Sequence, residues 1–516
     1  MRIIGEAGKS VFKLILSRND TNKILIRTAG RISINNKILR LDYQNTRDTI
    51  GWIEDSHFII RTLHQNVLPL FVRIVQHEVW ISNDLSELVI HGEVVPVRRV
   101  ELLLSAAGSQ GIRTALSHLI EGITLLMPLS RYRISFQEDS PEIAWSDIDF
   151  NFHEYATKED FLDFLIEQYK KVYSHDPEIC LAISGGWDSR LELAILTHLR
   201  KKVHCYHAAI SKRESVQARR VARMAGASFQ QYPFEELVLR GWDFMKQKGY
   251  LTRWDGFFAP GILYSAGLYT KMKKEYPGAA VRLMSSLTGW KGRLYEHSNS
   301  IPDYWQHKEE SYFKECHEIF PEYRALFMQE QERRQEIVSG LIKSISAKCV
   351  RNDIAVDISY NMLAYSRMDT RETFLVENGM PVFDGTKEAG DFFISLPEES
   401  KKQPVFIEWA IGQLNSELKN LPHTTSSMKR SEREFGLIGR VRLLNGILGR
   451  FSKIDRGYRQ DWLHDTDVTG IFELIPEMRS ISDRVNGDKN RLYIAQICRF
   501  LKALQEKKNV SFSIVE

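Results

Sequence analysis

The stretch LAISGGWDSRLELAIL, Leu181 to Leu196, narrows what this chain can fold into more than any other. PEICLAIS reads as a short buried strand, and LELAILTHLRKK carries apolar residues at helical spacing. A strand ending at Ser184 and a helix beginning near Ser189 leave a glycine-rich corner between them. In an open parallel sheet, that corner lies at the carboxyl edge, where ligands bind. Gly185 and Gly186 let the backbone approach an anion closely. The N–H groups at a helix start favour phosphate, and Ser184 and Ser189 add hydroxyls. Asp188 would repel a phosphate unless a divalent cation lay between them, so this carboxylate implies Mg²⁺.

The flanking sequence supplies a matching context. VHCYHAAI predicts a strand, RESVQARRVARMAG a helix ending at Gly226 and SFQQYPF a short strand. Strand and helix alternating at this spacing predict a parallel α/β sheet. Thr157, with Asp160 three residues on, predicts the N-cap of a helix over FLDFLIEQYKKVY. Upstream, SVFKLILS, KILIRT, HFIIRTL, PLFVRIV, HEVWIS and RYRISF predict strands, with a helix over VRRVELLLSAAG. WSDIDFNFHEYATKED reads as a linker. The chain therefore divides into a β-rich module, residues 1–150, and an α/β domain, residues 155–516. Long charged helices are predicted across 305–370, followed by a helical C-terminal quarter.

Composition excludes several classes. At 516 residues the chain can bury a large core without covalent staples. A net charge of +4 does not by itself point to nucleic acid. Five cysteines, widely spaced and without a CxxC pair, argue against a disulfide framework or zinc site and fit a reducing compartment. No apolar run approaches membrane-spanning length, and the start has no long apolar core. The expectation is a cytoplasmic protein without a membrane partner.

SGGWDS resembles SGGxDS, the pyrophosphate loop of the ATP-pyrophosphatase enzymes, which cleave ATP between its α and β phosphates. It is neither a Walker loop nor a dinucleotide fingerprint. The region of about 155–435 resembles the asparagine synthetase family, class B. VHCYHAAI is similar to the family's second strand, which makes Ala208 and Ala209 candidates for adenine contact. RESVQARRVARMAG is similar to its next helix. MPVFDGTKEAGDFFISLPEESK resembles the stretch containing Pro381, Phe383, Asp384, Leu396 and Pro397. LPHTTSSMKR places Lys429 at the family lysine. Glu377 stands where the family has an acidic residue that orients or deprotonates an amine, while the family arginine nearby is Gly379 here. The resemblance implies ATP and Mg²⁺ as cofactors. It implies Ser184, Gly185, Gly186, Asp188 and Ser189 as the pyrophosphate site, with Asp188 on the metal, and Lys429 and Glu377 as catalytic groups.

Two departures from that family matter. HEVWISNDLSEL and LIEGITLLMPLSRYRISF are similar to the end of its glutaminase domain, an N-terminal nucleophile fold whose cysteine follows the initiator methionine. Here position 2 is Arg2 and the first cysteine is Cys180. Without a thiolate there is no thioester and no ammonia release, so the front module is expected to be a degenerate glutaminase-like domain. The family's acidic second phosphate loop is also replaced by TGWKGRLYEH. Gly289 and Gly292 remain, but Lys291 and Arg293 stand where acids are usual, and the nearest acid is Glu296. Either Lys291 neutralises pyrophosphate directly, or the site has decayed. Arg190 could also reach a phosphate; the alternative is a salt bridge on the first helical turn.

Arg253, Trp254 and Asp255 fall where the family places substrate contacts. His204 and His207 flank a buried strand and are expected to be structural. The function expected is an ATP-dependent, AMP-forming carbon–nitrogen ligase that activates a small-molecule or peptide carboxylate as an acyl-adenylate, as natural-product and peptide cyclases do. A homo-oligomer and a precursor-peptide or carrier partner are compatible with that reading. The alternative is a catalytically decayed nucleotide- or partner-binding protein. A tRNA-modifying role through the basic run after Lys429 is a third reading, and a nucleic-acid partner is not expected.

Overall fold

A computed structural model describes residues 13–18, 24–29, 32–35, 38–43, 46–54, 57–62, 70–106, 119–136, 140–154, 156–250, 260–283, 310, 313–314, 316–364, 378, 380, 387–401, 405–422, 475 and 488–515. The chain is mixed α/β, with antiparallel sheets in front and a parallel sheet behind. Among the described residues no helix is long and apolar enough to cross a membrane.

The front part holds β1 (Lys13–Arg18), β2 (Ile24–Ala29), β3 (Ile32–Asn35), β4 (Ile38–Tyr43), β5 (Thr46–Glu54), β6 (His57–Arg61), β7 (Phe71–Val75), β8 (Glu78–Ser82), β9 (Val94–Arg98), α1 (Arg99–Ala106), β10 (Ile123–Leu125), β11 (Ser130–Phe136) and β12 (Pro141–Ile148). Two sheets form, in the orders β10-β7-β8-β1-β2 and β12-β11-β6-β5-β4-β3, with every pairing antiparallel. Period-two alternation builds the core between them. Leu14 and Leu16 of β1 turn inward with Val79, Ile81, Phe58, Ile60 and Ile134. The predicted strands over 13–18, 24–29, 57–61, 71–75, 78–82 and 130–136 are present. The stretch expected to begin a linker at Trp145 instead continues β12 to Ile148. Ser130 to Phe136 pairs along it, and Ile148 is buried. The helix expected over VRRVELLLSAAG starts at Arg99, because Val97 and Arg98 belong to β9.

Behind it lie α2 (Lys158–Val172), β13 (Glu178–Ala182), α3 (Trp187–His198), β14 (Lys202–Ala209), α4 (Lys212–Met224), β15 (Ser228–Pro233), α5 (Phe234–Gln247), α6 (Pro260–Glu275) and β16 (Ala280–Arg282). Thr157 caps α2 by accepting from the Asp160 N–H at 3.1 Å, as the capping pattern predicts. The parallel sheet runs β15-β14-β13-β16. Both faces are covered, so its strands alternate between two cores rather than between core and water. Ile179, Leu181, Val203 and Cys205 face α2, α3, α4 and the later helices. Cys180, Tyr206, Ala208 and Val281 face α5 and α6.

Helices α5 and α6 cross on glycines. A Cβ at Gly267 would lie 2.0 Å from the Leu237 carbonyl oxygen, and one at Gly241 would lie 1.8 Å from that of Leu263. Backbone, not a mobile side chain, occupies the space. Gly267→Ala is therefore expected to lower stability by roughly 1–3 kcal/mol through overpacking, read as a fall in thermal midpoint. An unchanged midpoint would show that the helices separate freely.

The later helices, Arg324–Lys348, Asn352–Ala364, Lys387–Ser395 and Val405–Leu414, add to the first of these cores. The chain then returns to the front part. Helix Asp488–Lys508 packs on α1, and β17 (Ser511–Val515) pairs in parallel with β9. A buried ion network ties the two parts together. Arg334 reaches Glu101 at 2.9 Å and Glu330 at 2.7 Å, and Arg98 reaches Glu330 at 3.0 Å. Burial works to raise the Glu330 pKa, but hydrogen bonds and charge from Arg333 and Arg334 outweigh it and hold the carboxyl at about 2 instead of 4.5. Such a depressed carboxylate contributes stability above its unfolded pKa and loses it as pH falls through the folded value. Glu330→Gln is expected to cost on the order of 3 kcal/mol at neutral pH. The gap from the parent chain should close as pH falls from about 4.5 to about 2. Denaturant titrations across that range check it; a gap constant with pH would refute it.

Candidate functional site

The strand order decides where a ligand can sit. β13, β14 and β15 progress in one direction across the sheet, and β16 then adds on the other side of β13. Chain direction thus switches between β13 and β16, and the crevice beyond the carboxyl ends at such a point is where open α/β sheets bind ligands. The SGGWDS loop follows β13 at this place.

A cavity of about 170 Å³ opens there. Ala182, Ile183 and Ser184 enter from the end of β13, and Asp188 and Ser189 from the first turn of α3. His207 and Ala208 come from β14, Ile210 from just past it, Glu214 from α4, Tyr264 and Leu268 from α6, and Leu283 from just past β16. The structure thus brings together Ser184, Asp188, Ser189 and Ala208, four of the residues singled out from sequence. Ala209 ends β14 beside Ala208 and is half-buried.

The loop is held by its own hydroxyls. The Ser184 N–H donates to Ser189 Oγ at 3.0 Å, the two Oγ atoms are 3.1 Å apart, and the Gly186 N–H donates to Ser184 Oγ at 3.1 Å. Helix α3 begins at Trp187 with Gly186 as its N-cap, two residues earlier than expected and with no side-chain cap. N–H groups at such a helix start favour an anionic acceptor. Gly186 has φ −82°, which any residue adopts, so its use here is space beside Ser184 Oγ rather than a left-handed turn.

Arg190 departs from both readings of it, a phosphate contact and a salt bridge on the first helical turn. Its guanidinium is fully buried and donates to the carbonyls of Leu418, Leu421 and Pro422 and, at 3.3 Å, of Gly185. Neither the phosphate nor the salt-bridge reading holds. The side chain ties the back of the glycine loop to the end of the helix Ser416–Asn420. Burial lowers its pKa to about 10. Behind the loop, Glu192 of α3 accepts from Arg282 of β16 at 2.6 Å and from the Tyr169 hydroxyl at 3.0 Å, all buried.

His204 is structural, as expected, with Nδ1 2.9 Å from Ser228 Oγ and its ring stacked on Tyr276. His207 differs, because it lines the cavity. Its Nδ1 lies 2.8 Å from the Ile183 carbonyl and its Nε2 3.1 Å from Ser215 Oγ. A carbonyl only accepts, so Nδ1 carries a proton. Burial lowers the ring's pKa against the Ile183 hydrogen bond, which favours the neutral form. Glu214 was not assigned a role from sequence, although Ser211-x-x-Glu214 is a capping-box pattern that marks it as a helix-start residue. Ser211 Oγ does accept the Glu214 N–H, and the Glu214 side chain lines the cavity, where burial raises its pKa.

Asp188 and Glu214 thus face one cavity whose described lining includes no Lys or Arg. Among the described residues no group of three or more His, Cys, Asp or Glu is placed to hold a metal alone. Two carboxylates with serine hydroxyls form a hard oxygen set suited to Mg²⁺ completed by phosphate and water. Lys291, Arg253, Trp254, Asp255, Glu377 and Lys429 lie outside the described residues, as do Pro381, Phe383, Asp384, Arg293 and Glu296. Leu396 is a core residue, and the Pro397 carbonyl starts a short helix by accepting from Ser400 and Lys401.

No protein-family model matches the chain, and no curated protein matches it. A solved structure of glutamine-dependent NAD+ synthetase from Acinetobacter baumannii in complex with adenosine diphosphate is similar over 35% of this chain, at 16% identity and a TM-score of 0.18. The similar region spans 39% of that enzyme's length.

Proposed function

We propose that this protein is an ATP- and Mg²⁺-dependent carbon–nitrogen ligase of the ATP-pyrophosphatase type. In this reading it activates a carboxylate as an acyl-adenylate and releases pyrophosphate. The observation that carries it is the position of SGGWDS, which lies at the switch point of a parallel sheet with hydroxyls, a helix start and two carboxylates around one cavity.

The residues divide the work by their chemistry. The N-terminus of α3 and the Ser184 and Ser189 hydroxyls suit phosphate oxygens. Asp188, with Glu214 across the cavity, would hold Mg²⁺, which neutralises phosphate charge when bound. Ala208 is small enough to leave room for a flat base at the end of β14. Lys429 and Lys291 would meet charge developing on the phosphates, and Glu377 would accept the proton of the attacking amine. Arg253, Trp254 and Asp255 would contact the substrate. In this reading the front module, residues 1–150, is a degenerate glutaminase-like domain that supplies no ammonia, since it contains no cysteine to form a thioester. The amine then comes from the substrate itself or from solution, as in a cyclase, and positioning does much of the work. A cytoplasmic setting agrees with the need for Mg-ATP.

ATP–pyrophosphate exchange and AMP release across a carboxylate panel test the proposal. Exchange stimulated by one carboxylate class and dependent on Mg²⁺ is expected. Mg-ATP binding by calorimetry with no AMP from any carboxylate would favour the decayed nucleotide-binding protein instead.

A further inference from the structure

Helix α4 begins at the cavity, where Glu214 lines the wall and Ser215 meets His207. Its exposed side is strongly basic. Arg213, Arg219, Arg220 and Arg223 are all exposed, as is Lys212 at the first turn. At about 100° per residue these positions fall within roughly 120° of the helix surface. Among the described residues no ion pair restrains Lys212, Arg213, Arg220 or Arg223. Arg219 lies over the Phe229 ring, 5.5 Å from its centroid, and reaches Gln231 at 3.5 Å.

Helix stability does not explain this face. Arg219 and Arg223 are like charges at i,i+4, and Arg220 and Arg223 at i,i+3, arrangements that repel. Lys212 and Arg213 stand in the first turn, where the helix dipole disfavours cations. The face also carries aliphatic side chains. Val216 is 44% exposed and lies within the basic arc, and Met224 is 41% exposed and lies at its edge.

We propose that this side of α4 docks an acidic amphipathic helix of a partner protein that presents the carboxylate substrate to the cavity. Charge complementarity selects an acidic partner. Val216 and Met224 select a protein helix over a nucleic acid, because they match apolar side chains, and the Phe229 ring beside the face is covered by the Arg219 guanidinium rather than left for a base to stack on. A helix laid along the 13 residues of α4 would end beside Glu214, at the cavity mouth. The delivery role rests on the ligase reading above; the docking face does not.

The test uses the full chain and a fluorescein-labelled peptide of about 18 residues with Glu and Leu at helical spacing. Controls are a scrambled peptide of the same composition, an oligouridine of equal length and phosphatidylserine vesicles. The amphipathic peptide should bind the parent chain most tightly, and its affinity should fall with salt. Arg219→Glu, Arg220→Glu and Arg223→Glu together should weaken it at least tenfold, and Val216→Asp severalfold. These positions are exposed, so Mg-ATP binding should persist in both variants and report that the fold is intact. No peptide binding, equal binding of the scrambled peptide, affinity unchanged by charge reversal, or tighter binding of oligouridine or vesicles would each overturn the proposal. If the parent chain binds the peptide in this charge-dependent way but does not bind Mg-ATP, the docking face stands and the ligase reading fails.

Discussion

Asp188→Ala is expected to reduce Mg-ATP-dependent AMP release by about 100-fold or more, the usual scale for removing one preorganised electrostatic group from a site where charge develops. The side chain stands in the first turn of α3 and lines the cavity with Ser184, Ser189 and Glu214. Its contribution to folding is that of an acid at a helix start, about 0.3–1 kcal/mol. A 100-fold rate loss is about 2.7 kcal/mol, so stability and chemistry separate by magnitude. Asp188→Asn should reproduce most of the loss, because it keeps the shape and removes the charge that holds the cation. Pyrophosphate exchange, AMP release and thermal midpoint measured on the same preparations check this. Exchange unaffected by Asp188→Ala would remove the site assignment.

Arg282→Ala is expected to destabilise the protein by about 3–5 kcal/mol, because it strands the Glu192 carboxylate in the core. Arg282 Nε and Nη2 donate to one oxygen of Glu192 at 2.9 and 2.6 Å, and both residues are at most 2% exposed. The pair joins the end of β16 to α3, on either side of the switch point, so its loss should also loosen the glycine loop. Replacing both partners, Arg282→Met with Glu192→Gln, should recover most of the stability, since no charge is then left buried. A thermal midpoint lower by roughly 5–15 °C in the single variant, with recovery in the double, is the expected pattern. A single-variant loss under about 1 kcal/mol would mean that the pair behaves as a surface bridge.

Local patterns carried much of the fold. The strands β1, β6, β7 and β8 are short runs rich in β-branched residues between polar turns, and Thr157 announces the helix it caps. Strands β3 to β5 were not recognised, because ISINNKILRLDYQNTRDTIGWIE mixes charged residues into every short apolar run. Their pairing depends on neighbours in a six-stranded sheet. β17 escaped for the same reason, since its partner β9 lies more than 400 residues earlier in the chain.

The candidate site divides in the same way. Sequence alone determined the SGGWDS corner, because strand period, glycine pair, hydroxyls and helix start are all local and agree with one another. The strand order, Glu214 and His207 as cavity walls, and Arg190 as a buried tie to carbonyls about 230 positions away were decided only in three dimensions. The reason is physical. Periodicity and capping act over one or two turns of chain. Which strand ends share an edge, and whether a guanidinium meets phosphate or backbone, follows from the packing of helices on both faces of the sheet.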